Sequence, residues 1–233
     1  MSKYLIEKYK PYLVLAKKEK YEPIYFEDYL KMTYLVCNGK KINKSFEEMA
    51  NDKKMENGLS CKLFIKNKYK ETFKNFKSED HPVYAYVKKK GDITQIVYSF
   101  FYTFNGPKDV LGFIPVGAHN ADLEWVVIEF HNDKPKYAYL SQHGYNQKIK
   151  YSELEKKNNR IVIFSAYNSH AHYPEPKTYV RFYGFGNDNC SRGKMIDPKV
   201  VKYNNNSPAI KYKGDIGDKG VTSMGRFRFC VFE

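Results

Sequence analysis

The sequence predicts an all-β protein, an antiparallel β-sandwich with short peripheral helices. Three observations carry that expectation. Aromatic residues make up 17% of the 233 residues, with 22 Tyr and 16 Phe, and flat rings suit the pleated faces of strands. From His81 onward, short apolar runs alternate with polar turns containing Gly, Asn or Asp, the pattern of sheets built from hairpins. The long alternation of strand and helix that marks doubly wound or barrel folds is missing. A hydrophobic content of 42% is ample for a packed interior and excludes global disorder. The length suits one domain over 1–233, with 38–80 as an insertion or peripheral excursion from its core.

Taken in order, "PYLVLA" near the start reads as a strand. "YFEDYLKMTYLV" carries Phe26, Tyr29, Leu30 and Tyr34 at near-helical spacing, which predicts a short helix or an irregular turn. Ser45 with Glu48 three residues later is a capping-box pattern that opens a helix, and Phe46 and Met49 give it a small apolar face. "CKLFI" is a strand, and the polar stretch to Asp80 is a loop. "PVYAYVKKKGDITQIVYSFFYTFNG" gives two strands around "KKKGD", a hairpin. "EWVVIEF" and "KPKYAYLSQHG" form a second pair around "HNDK". Ser152 and Glu155 repeat the capping-box pattern, and "RIVIFSAYNSHAHYP" is a strand that ends in a histidine-rich turn.

Net charge is +14, with lysine crowded into residues 1 to 90 and arginine scarce. Lysine without arginine offers little base-reading chemistry, so any nucleic-acid contact is expected through nonspecific charge alone. Cys37, Cys61, Cys190 and Cys230 form no CxxC, which argues against a cysteine zinc knuckle. Free thiols in a reducing compartment are the expectation, with disulfide pairing left open by the even count. No segment reads as a signal peptide or approaches a membrane span, so the expected location is intracellular, cytoplasmic or peripheral to a membrane.

The chemistry concentrates between His119 and His172, which hold five of the 6 histidines. In "HNADLE", Asp122 and Glu124 share one face of an extended strand because side chains repeat every two residues. A turn before the strand can rotate His119 toward them. One imidazole and two carboxylates make a mixed N/O set that suits Mg²⁺, Ca²⁺ or Mn²⁺, and admits Zn²⁺ if further histidines join. The competing reading makes Asp122 a turn cap, Glu124 a solvated side chain and His119 a surface residue. His143 ends the next strand, and His170 and His172, two apart, can face one way. These three are candidates for a further ligand or for groups that orient the ligands. "GFGNDNCSRGK" lacks phosphate-loop spacing and reads as a structured turn. Ser165 and Ser169 lie near His170 without a nucleophile elbow. The acids crowd one strand instead of flanking a cleft as a glycosidase requires.

These motifs resemble the eukaryotic Vps62 family. The family's glycine, histidine and Asp-Trp-Glu stretch is similar to Gly117, His119, Asp122 and Glu124. Its Ser-Gln-His-Gly piece is similar to residues 141 to 144, and its His-Ala-x-Tyr-Pro segment to "HAHYPEP". The tryptophan between the family's acids is Leu123 here, and Trp125 follows Glu124 where a histidine is common. More distantly, the stretch resembles the Gly-His-x-His-Asp-Trp-Glu signature of the NEP1-like necrosis-inducing cytolysins. That likeness implies a β-sandwich holding a divalent cation on His119, Asp122 and Glu124, with His143 nearby. Ala121 stands where the signature has its second histidine. The expected function is a non-catalytic structural or surface-binding module with a divalent-cation site, acting at an acidic membrane surface or within a protein assembly. The rival readings are a metal-dependent hydrolase and a nonspecific polyanion- or nucleic-acid-binding protein.

Overall fold

The computed structural model describes residues 3–55, 60–110, 114–143, 145–181, 184 and 186–217. Gly144 of the Ser-Gln-His-Gly piece and Phe185 of the Gly/Asn/Asp turn lie outside the described residues. The amino-terminal part runs α1 (Lys3–Tyr9), β1 (Tyr12–Val14), α2 (Phe26–Met32), β2 (Thr33–Cys37), β3 (Lys40–Ile42), α3 (Phe46–Ala50) and β4 (Cys61–Ile65). The long strands follow as β5 (Pro82–Lys90), β6 (Ile93–Asn105), β7 (Lys108–Val110), β8 (Ile114–Val116), β9 (His119–His131), β10 (Lys134–Gln142) and β11 (Tyr145–Lys150). Short strands complete the chain as β12 (Lys156–Lys157), β13 (Arg160–Ser165), β14 (His172–Tyr173), β15 (Thr178–Tyr179), β16 (Asp188–Asn189), β17 (Met195–Ile196) and β18 (Lys199–Lys202), with α4 at Pro208–Lys211.

Turn chemistry sets the hairpins. Asn38-Gly39, Asn132-Asp133 and Asn158-Asn159 each hold two successive residues at positive φ, the twist that two-residue turns need to match right-handed strands. The main sheet runs β11-β10-β9-β6-β5-β18, and a second sheet runs β12-β13-β1-β17 with β14 also on β13. Among the named strands of the described residues, pairing is antiparallel except where β1 lies parallel to β13 and β18 parallel to β5.

Strand alternation sorts side chains into layers. Ile96, Tyr98 and Phe100 of β6, with Val126, Ile128 and Phe130 of β9, face Leu13, Ile161 and Ile163 of the second sheet. The other face of the main sheet sends Tyr84, Phe101, Ala121 and Leu123 into a separate apolar cluster. Its partners are Phe26, Tyr29, Met32, Leu35, Met49, Leu63 and Phe73. The 38–80 stretch therefore supplies side chains to the core that covers this face. Burial on both faces explains why β6 reads as a nearly continuous apolar run instead of alternating.

Two local expectations change. Cys37 and Cys61 face each other in the β2–β4 register and form a disulfide, with Cα atoms 4.1 Å apart, while Cys190 is free and buried. The expectation of free thiols followed from a reducing compartment and left pairing open, since sequence does not display the cross-strand register that brings these two together across 24 residues. The Ser45–Glu48 capping box forms, with Glu48 N–H on Ser45 Oγ at 3.1 Å and Ser45 N–H on the Glu48 carboxylate at 2.6 Å. The Ser152–Glu155 pattern instead gives only a 3₁₀ turn at Tyr151–Glu153. The chain enters the β12–β13 hairpin at once, and Glu155 accepts two hydrogen bonds from Arg192, at 2.6 and 2.9 Å.

Candidate functional site

Asp122 and Glu124 stand on the inner face of β9, directly opposite Tyr102 and Phe100 of β6. Each is 7% exposed, because the turn between β13 and β14 folds over them. That turn is closed by Ala166 N–H to Ala171 O at 2.9 Å and His170 N–H to Ala166 O at 3.0 Å. Asn168 and His170 take positive φ, 65° and 55°, to make the reversal. The reversal lays the His170 ring flat on Tyr102, with centroids 3.8 Å apart and planes 3° from parallel.

His170 is fully buried and carries a carboxylate on each side. Nδ1 meets Asp122 Oδ2 at 2.8 Å, a hydrogen bond, and Nε2 lies 3.9 Å from Glu19 Oε1, within charge attraction. Burial alone would lower the imidazole pKa. The Asp122 hydrogen bond and the charges of Glu19 and Asp122 outweigh burial and raise it to about 9, so His170 is an imidazolium at neutral pH. Glu19 is fixed by the N–H groups of Asn168 at 2.6 Å and Tyr21 at 2.9 Å. Burial pushes Glu19 up, but His170 and these amides hold it below the usual carboxylate range.

Glu124 is placed differently. Among the described residues it accepts from the Ser141 hydroxyl, which in turn accepts Trp125 N–H at 2.9 Å. Burial, then the neighbouring Asp122 charge, raise Glu124 well above its ordinary value. His172 donates from Nδ1 to the Trp125 carbonyl at 3.2 Å, and burial lowers its pKa to about 4, so it is neutral. Three wholly buried atoms have no hydrogen-bond partner here among the described residues: His170 Nε2, His172 Nε2 and Tyr102 Oη.

A second polar group centres on Asp188, which is itself inaccessible. Its Oδ1 accepts from Lys108 and, at 2.7 Å, from Ser169 Oγ. Its Oδ2 accepts from His143 Nε2 at 2.6 Å, Tyr173 Oη at 2.7 Å and Arg181 at 3.5 Å. Burial opposes ionisation, but His143 and Lys108 hold Asp188 well below the ordinary aspartate value.

The predicted residues are thus divided. Asp122 and Glu124 come together, and from the histidine-rich turn His170 meets Asp122 while His172 bonds the Trp125 carbonyl. His119 turns back on its own strand, with Nδ1 2.7 Å from the Ala121 carbonyl, where Ala121 has a positive φ of 60°. His143 serves Asp188. Among the described residues no three His, Cys, Asp or Glu side chains form a ready cation cage. Trp125 packs toward the amino-terminal cluster, and its indole N–H donates to Asn146 at 2.8 Å. Sequence reasoning missed Glu19, Tyr102, Ser141 and Asp188. Tyr102 needs the β6–β9 register to be seen, and Glu19 meets Asn168 across 149 residues.

The family model for vacuolar protein sorting-associated protein 62, Vps62, matches residues 2–205. The chain belongs to the Vps62 family. It is similar to vacuolar protein sorting-associated protein 62 of Saccharomyces cerevisiae, at 25% identity over 236 aligned positions covering 83% of this chain and 50% of that protein. The putative vacuolar protein sorting-associated protein TDA6 of the same yeast is 29% identical over 126 positions, 45% of this chain and 27% of that one. The chain spans half the length or less of these Vps62-family relatives. Among solved structures it is similar to necrosis and ethylene inducing protein 2 from the causal agent of cocoa's witches' broom disease. Identity is 11%, the TM-score 0.43, and coverage 89% of this chain and 76% of that one.

Proposed function

We propose that this Vps62-family chain is a non-catalytic binding module, related in role to vacuolar protein sorting, whose carboxylate pair Asp122 and Glu124 holds a divalent cation. One observation carries the reading. Two buried carboxylates share a strand face; among the described residues the His170 imidazolium lies against Asp122, while the Ser141 hydroxyl donates to Glu124. Burial first, and then the Asp122 charge, raise Glu124, and a hard cation would offset both. A pair of carboxylates suits hydrated Mg²⁺, Ca²⁺ or Mn²⁺ better than Zn²⁺, which takes more nitrogen and sulfur. His119 would join only by giving up its bond to the Ala121 carbonyl.

The side chains that a hydrolase would need are occupied. His170 has a carboxylate at each nitrogen, Ser169 donates to Asp188, and Ser165 donates to the His170 carbonyl at 3.4 Å. A proton relay from Ser165 or Ser169 through His170 therefore has no free base. The test is thermal unfolding and calorimetric titration in EDTA, then with Mg²⁺, Ca²⁺ or Mn²⁺. Saturating cation at 100 times Kd should add about 2.7 kcal/mol, and Glu124→Gln should abolish the gain while retaining the fold. An unchanged melting curve with every cation, or a gain that survives in Glu124→Gln, would overturn the reading.

A further inference from the structure

We propose that Asn43 is an acceptor for an N-linked oligosaccharide. The inference is independent of the cation reading, since it uses other residues. Three places in the sequence carry Asn, a residue other than Pro, and then Ser: Asn43-Lys44-Ser45, Asn189-Cys190-Ser191 and Asn205-Asn206-Ser207. The fold separates them. Asn43 is exposed, and so are Lys44 and Ser45 after it, in the connection between β3 and α3. At Asn189 the amide oxygen accepts from Thr178 Oγ1 at 2.9 Å, and the middle residue, Cys190, is buried. At Asn205 the amide oxygen accepts from the Tyr86 hydroxyl, and Pro208 follows the serine. Asn43 is the acceptor that the folded surface leaves most open.

A second observation points to the compartment. Cys37 and Cys61 form a disulfide between β2 and β4, and β3 pairs with β2 in the same small sheet, with Lys40 opposite Cys37. Disulfides persist in oxidising surroundings, and the lumen of the endoplasmic reticulum is both oxidising and the place where these glycans are added. The transferred group comes from a lipid-diphosphate-linked oligosaccharide. Its C1–O bond to the diphosphate breaks, C1 bonds to Asn43 Nδ2, and the displaced amide proton goes to the lipid diphosphate. The Ser45 hydroxyl completes the acceptor signal. In the finished fold that hydroxyl caps α3, where it accepts Glu48 N–H at 3.1 Å. Attached immediately after β3, the glycan would lie beside the outer edge of the β3-β2-β4 sheet, the kind of open edge through which strands associate.

The test maps the protein taken from its native cells. Peptide-N-glycosidase in heavy-oxygen water converts a glycosylated Asn to a labelled Asp, and tandem mass spectrometry locates the label. Asn43 should be the labelled position, in molecules whose Cys37–Cys61 bond is intact. Expressed in the same cells, Asn43→Gln and Ser45→Ala should each lose the mass of one glycan on a denaturing gel. Ser45→Thr should keep it, because threonine supplies the same hydroxyl. An unlabelled Asn43, a label confined to Asn189 or Asn205, or an unchanged gel mobility in Asn43→Gln overturns the proposal.

Discussion

His170 is the cation that Asp122 and Glu19 share. Replacing it with Ala would leave Glu19 and Asp122 buried without their shared cation, a change expected to cost about 3–5 kcal/mol. Urea denaturation of the two proteins should show that loss as a lower midpoint. His172 supplies a pH test. Its folded value, about 4, lies below the ordinary 6.5, so the folded state binds the proton less well than the unfolded state does. Its contribution is therefore fully present above pH 6.5 and lost as pH falls through 4. His172→Phe should flatten that acid limb in stability measured between pH 7 and 4, and an unchanged slope would reject the assignment. The sequence made Asp122, Glu124 and the HxH turn visible because strand parity and residue type are local properties. It could not show that His170, instead of His119, would meet Asp122. That choice is made by the positive-φ reversal at Asn168 and His170 and by Glu19 from the far end of the chain.

At the scale of elements, the hairpins were legible because their turn residues are chemically specific, as Asn132-Asp133 between β9 and β10 illustrates. The small sheet β3-β2-β4 was less so. Its strands are short, and its place is fixed by burial of Leu35 and Leu63 against the main sheet and by the Cys37–Cys61 bond. Breaking that bond with Cys61→Ser should destabilise the fold by about 3 kcal/mol, the loop-closure value for a separation of this length. Denaturation with and without dithiothreitol checks it, and the variant should lose its response to reductant. Disulfides persist in oxidising compartments, so an intact bond in protein taken from its native cells would place its folding outside the reducing cytosol. Non-reducing peptide mapping measures this directly. Ser45→Ala, which removes the cap of α3, should cost about 1 kcal/mol.

Across the whole molecule, the excess of lysine over arginine predicts weak adhesion to acidic surfaces without sequence preference. Co-sedimentation with acidic vesicles or nucleic acid should fall steeply between low and high salt. Retention at high salt would point to a defined interface instead. The sandwich class was readable from composition and alternation. The parallel pairings of β1 with β13 and of β18 with β5 were not, since strand order depends on contacts between distant segments.

The place of β1 between β13 and β17 has a consequence for how the chain is made. Tyr12–Val14 is synthesised well before either neighbour: β13 follows only at Arg160–Ser165, and β17 at Met195–Ile196. Glu19, a few residues on, waits equally long for His170. The second sheet therefore closes by late capture of an early segment, a long-range step of the kind that slows folding. Until then an apolar strand has both edges open, which makes nascent chains the stage most exposed to association with one another. Refolding yield should accordingly fall with protein concentration more steeply than the stability of the finished fold would suggest, and a Leu13→Lys chain should remain unable to close the sheet at any dilution.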